Sequence, residues 1–138
     1  MPRPPFIPHR TRPVGKLPVM AKLRDEFGMV AHLALRGLET APTIEAFDAL
    51  AEVFNLLQVD LRNDARRSDV AAVISDGAGA LIAAQDAVAA GQVPAPDLLE
   101  RIRAGVNAID GLIGKLDVTR LYASMQVLKA MKRAEARA

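Results

Sequence analysis

The chain of 138 residues contains no cysteine and no tryptophan, one tyrosine, four phenylalanines and two histidines. Without cysteine there is no disulfide framework, no thiolate nucleophile and no thiolate zinc site. Two histidines leave little for any other metal. Aromatics are only 4% of the chain, too few for a sandwich or barrel, whose strands draw on Tyr, Phe, Trp and Thr. Long apolar runs are also missing. The most apolar stretch, Ala78–Ala90, contains Gln85 and Asp86, and nothing approaches the roughly 18 residues of a membrane span. Pro2, Pro4, Pro5, Pro8, Pro13 and Pro18 interrupt every stretch that might serve as a secretory core. These absences predict a soluble, cytoplasmic protein without cofactor, metal or membrane contact.

What remains is the material of helices. Hydrophobic residues make up 51% of the chain, and 25 of its positions are alanine, a composition suited to closely packed helical faces. The length suits a single core burying roughly 70% of the unfolded chain's surface. The expected fold is all-α: an antiparallel bundle of four to five helices over residues 19–138, preceded by an extended Pro/Arg-rich arm over residues 1–18.

Six of the nine prolines lie in Met1–Pro18, which therefore forms neither helix nor central strand. Two readings of this arm stay open. Phe6, Ile7, Val14 and Leu17 anchor it across the bundle, or it is free in solvent.

Apolar spacing of three and four places a first helix over Val19–Arg36, with Met20, Leu23, Phe27, Val30, Ala34 and Leu38 as its stripe and Gly37 as its stop. Thr43 is placed to cap a second helix, Ile44–Arg62, with Glu45 at its positive end. Its apolar face is Phe47, Leu50, Ala51, Phe54, Leu57 and Leu61. After Asn63-Asp64, Ser68 or Asp69 caps a third helix reaching Ala90, whose stripe is Val70, Val73, Ile74, Leu81, Ala84 and Val88. Nine alanines between Ala71 and Ala90, with Gly77 and Gly79 among them, favour close approach of another backbone over a bend. Gly91 ends that helix. Pro96 opens a fourth helix in its first turn, running to Gly114 with Leu98, Leu99, Ile102, Val106, Ile109 and Ile113 inward. A fifth helix, Val118–Ala134, buries Leu121, Met125 and Leu128, or else helices four and five are one bent rod.

Charge is unevenly distributed. Residues 1–24 carry six bases and no acid, whereas Asp25–Leu128 holds eight bases and fifteen acids. Basic termini around an acidic middle are an electrostatic means of approaching phosphate or an acidic partner. Arg3, Arg10, Arg12 and Lys16 on the arm are the candidate nucleic-acid contacts. Lys129, Lys132, Arg133 and Arg137 join them, with Lys129, Arg133 and Arg137 spaced at i, i+4 and i+8 along one helix face. Ala87 and Gly91 have the spacing expected at the turn of a helix-turn-helix, but Pro94, Pro96 and Asp97 argue against one.

No catalytic constellation is visible. His32 has Gly28 and Arg36 one turn away, neither able to orient an imidazole, and reads as a half-buried helix residue. His9 belongs to the basic arm. Asp48 with Glu52, and Asp60 with Asp64, read as a solvated acidic face rather than a metal site. The glycines of Asp76-Gly77-Ala78-Gly79 lack the lysine and the strand of a phosphate loop.

The Pro/Arg-rich leader Pro4–Pro18, the run Pro18-Val-Met-Ala-Lys-Leu-Arg-Asp-Glu-Phe27, the segment Phe47-Asp-Ala-Leu-Ala-Glu-Val-Phe-Asn55 and the alanine-rich third helix together resemble small helical accessory proteins of proteobacterial prophages and mobile elements. The resemblance implies a phage-type accessory role and identifies no site. The expectation is a non-enzymatic interaction module, a regulator or inhibitor that binds a protein partner; the alternative is a nucleic-acid-binding regulator. A mean hydropathy of +0.14 adds a homo-oligomer, with the third or fifth helix packed on its copy.

Overall fold

The computed structural model describes residues 26–62 and 64–113 and, further along, positions 123, 126, 127, 129–131, 133 and 134. Every regular element among the described residues is helical, and no strand occurs there. The all-α expectation therefore holds. The expected arm, residues 1–18, lies outside the described residues, as do Leu121, Met125 and Leu128.

Residues 26–40 form α1. It does not stop before Gly37, as the sequence predicts, but runs through it to Thr40. The Thr40 hydroxyl donates to the Arg36 carbonyl at 2.8 Å, and the Ala41 N–H donates to the Gly37 carbonyl at 2.9 Å. Gly37 serves packing instead. A Cβ there would stand 3.3 Å from the Ala46 Cβ, so its absence lets the next helix close in. Ala31, Ala34, Leu35 and Leu38 are buried, whereas Val30, expected inside, is 42% exposed. Two adjacent apolar stripes compete on this helix, and the one carrying Ala31, Ala34, Leu35 and Leu38 turns inward.

Thr43 adopts extended backbone and accepts from the Ala46 N–H at 3.1 Å, starting α2, Ile44–Leu61. This is the predicted cap, with Glu45 in the first turn. Asp64 caps a single 3-10 turn, Ala65–Arg67, by accepting from the Arg66 N–H at 3.2 Å. That turn leads into α3, Ser68–Ala83, so Ser68 and Asp69 are helical and Arg67 holds the cap position without a side-chain bond.

The third helix does not reach Ala90 unbroken. At Ala84 (φ −86°, ψ −4°) the N–H is shared between the Ala80 and Leu81 carbonyls, each at 3.0 Å, and a short α4, Gln85–Ala89, follows. Gly91, with φ +73°, ends α4 as expected. Its N–H bonds Val88 at 2.9 Å while the Gln92 N–H bonds Ala87 at 2.8 Å, the paired closure that a left-handed residue permits. Pro96 opens α5, Pro96–Ile113.

The core sits where α3 meets α5, its most extensive contact, and α2. Phe54, Leu38, Leu50, Leu57, Ile74, Leu81, Ile102, Ile109 and Val106 are its largest fully buried side chains. Val73, placed inside by its spacing, is 40% exposed, and Leu112 is buried without having been expected.

Candidate interaction surface

The geometry of α5 decides which faces of the molecule are spent on its own fold. On one side it meets α3 at glycines. A Cβ on Gly77 would lie 3.2 Å from the Gly105 Cα and 3.3 Å from the Arg101 carbonyl oxygen; one on Gly105 would lie 3.0 Å from two atoms of the Phe54 ring. Phe54 thus reaches from α2 over the place where the two backbones touch. Beside the crossing, Asp76 accepts from Arg101 Nη2 at 2.9 Å and from Nε at 3.2 Å. The side-chain hydrogen bond to Asp76 raises the Arg101 guanidinium above its ordinary value. The close approach expected of this glycine region is realised at Gly77, while Gly79 meets nothing closer than Arg101 Nη2 at 4.0 Å.

On its other side α5 is tied to α1 by two polar bridges. His32 Nε2 lies 2.8 Å from both carboxylate oxygens of Asp110. Arg103 donates from Nε to Glu39 Oε2 at 3.2 Å and from Nη2 to the same oxygen. His32 and Glu39 are seven residues apart, as are Arg103 and Asp110, and the number rises on one helix as it falls on the other. The two bridges therefore set a register. Reversing either helix would bring His32 towards Arg103 and Glu39 towards Asp110, and sliding one along the other would break both bridges. His32 is exposed, at 47% of its side chain, and has a partner that its own helix does not supply. Sequence reasoning missed Asp110 because the pairing spans 78 positions.

The acidic pairs separate. Asp48 and Glu52 lie on the exposed side of α2, but Asp60 is 5% exposed and the Asp64 side chain likewise. For Asp60 and Asp64 the reading as a solvated face is wrong, whereas Asp48 and Glu52 are exposed as expected. The Asp64 carboxylate lies against the 3-10 turn it caps, 3.8 Å from Arg66 Nε and from Arg67 Nε. No group of three His, Asp or Glu side chains is gathered for a metal among the described residues. A recess of about 460 Å³ opens beside Leu61, Arg62, Ala65, Ser68 and Ala72. Another of about 280 Å³ opens beside Arg66, Arg67, Val70, Gly111 and Leu112.

Of the candidate phosphate contacts, Lys129 and Arg133 are helical, exposed and four residues apart. Lys132, Arg137, Arg3, Arg10, Arg12 and Lys16 lie outside the described residues. Every described position from 123 to 134 is exposed, including Val127 at 44% and Met131 at 46%. These two apolar side chains stand one turn apart, on the side of the helix opposite the two bases, a pattern read from the sequence only for its charges. A second exposed apolar group lies on α1, where Met29 and Leu33 point away from the core. No helix among the described residues is long and apolar enough to cross a membrane. No family model, curated protein or solved structure matches the chain.

Proposed function

We propose that this chain is a non-enzymatic helical interaction module, a phage-type accessory protein of the cytoplasm that regulates or inhibits by binding a protein partner. In this reading the helices form an antiparallel bundle with the basic arm beside it, and the last helical segment makes the contact. The supporting observation is the exposure of Val127 and Met131 on one side of a helical segment whose other side carries Lys129 and Arg133. An apolar pair with bases on the far side of the same helix has the form of an amphipathic helix that lays its apolar face into an oily groove and leaves its charges towards solvent. Small-residue faces contribute less, because the Gly77 face of α3 is filled by α5 of the same chain.

The second reading keeps the bases and discards the apolar pair. Lys129 and Arg133, with Arg3, Arg10, Arg12, Lys16, Lys132 and Arg137, grip a phosphate backbone. Titration of a labelled DNA duplex at low and at moderate salt separates the two readings. Protein binding as the function predicts no duplex binding even at low salt. Tight binding that falls steeply with salt, and is lost on deleting residues 1–16, establishes the second.

A further inference from the structure

The outward face of α1 has a symmetry of its own. Glu26, Met29, Leu33 and Arg36 are exposed and, at 3.6 residues per turn, fall within about 80° of one another. They lie opposite the buried Ala31, Ala34, Leu35 and Leu38. Met29 is 60% exposed and Leu33 62%. Read from either end, the face runs charged, apolar, apolar, charged with spacings of three, four and three, and the two terminal charges have opposite sign.

From this pattern we infer that a second copy of the same chain docks antiparallel on α1, about a two-fold axis level with Ala31. That arrangement sets Met29 against the partner's Leu33 and Glu26 against the partner's Arg36, and the symmetry makes each contact twice. A parallel arrangement sets like charges together. Charge complementarity therefore selects both the occupant and its direction. Glu26 and Arg36 are available for the purpose, since neither enters an ion pair within the chain among the described residues. The bases and acids flanking them on the α5 side are already committed: His32 to Asp110 and Glu39 to Arg103. Val30, 42% exposed, widens the apolar strip.

This goes beyond binding of an unrelated partner, and uses a different face from the last helical segment. It also moves the self-association expected of the third or fifth helix to the first. Two large apolar side chains per copy make a smaller contact than the roughly 1,600 Å² of a standard interface, so the dimer forms only at micromolar concentrations and above.

Sedimentation of the full chain over a concentration series tests the inference. The apparent mass rises from 14.8 kDa towards twice that value as concentration increases. Leu33→Glu abolishes the rise. Glu26→Arg and Arg36→Glu each weaken association roughly tenfold, and the chain carrying both restores it, because the pairs re-form with their signs exchanged. Circular dichroism of each variant matches the parent, the substituted positions being exposed. A parent that stays monomeric throughout, a dimer that Leu33→Glu leaves intact, or a double variant no tighter than either single one overturns the inference.

Discussion

Gly77 and Gly105 touch through their backbones: a Cβ on the first would stand 3.2 Å from the Cα of the second. The Phe54 ring, fully buried, closes over the same point. Three helices thus converge where two of them have no side chain. Any added methyl must displace α3 from α5 or push an aromatic ring out of a filled core.

Gly105→Ala and Gly77→Ala are therefore expected to destabilise the chain by about 1–3 kcal/mol despite the better helix propensity of alanine. Gly79→Ala, with no atom closer than 4.0 Å, is expected to be neutral or to stabilise by up to about 1 kcal/mol. Urea unfolding of the three variants gives the comparison. Equal effects at all three positions would mean that the crossing is not tight.

Much of this arrangement is legible in the sequence. Thr43 as a cap, Gly91 as a stop, Pro96 as a first-turn residue and the close approach at Gly77 all follow from local chemistry, because each depends on residues within a turn or two. The partner of Gly77 does not follow, since nothing near it in sequence says that Gly105 and Phe54 will arrive there. Gly37 shows the same limit from the other side. Its local chemistry fits a helix stop, but Ala46 of the next helix gives it a packing role within the helix. The interaction surface was legible in part: Lys129 and Arg133 were found as charges, whereas the exposure of Val127, Met131, Met29 and Leu33 depends on which stripes the core leaves over.

The bridges between α1 and α5 make a second expectation. His32→Ala and Asp110→Ala should each cost about 0.2–1 kcal/mol, and the double variant less than the sum, because the pair is half exposed and its value is mutual. A double-mutant cycle by chemical denaturation measures the coupling. Strict additivity would deny the contact.

Register can be tested with the other bridge. Glu39→Arg alone places two guanidiniums together and should weaken the α1–α5 contact, and adding Arg103→Glu should recover most of the loss. Hydrogen exchange of α1 amides reads this locally: faster exchange in the single variant, near-parent exchange in the double. No change in the single variant would show that Glu39 and Arg103 do not face each other.

The cap at Thr43 is a local test of α2. Thr43→Ala removes the acceptor for the Ala46 N–H and is expected to cost about 1 kcal/mol, whereas Thr43→Ser should cost little. Thermal unfolding of both variants provides the comparison, and equal losses would point to the methyl rather than the hydroxyl.

The proposed protein-binding role is tested most directly by capture on the immobilised full chain from a nuclease-treated bacterial extract, beside a chain carrying Val127→Glu and Met131→Glu. The account predicts that the parent retains a defined protein in stoichiometric amount after nuclease treatment and that the variant, folded by circular dichroism, does not. Capture that disappears with the nucleic acid, or that the two substitutions leave unchanged, would contradict it.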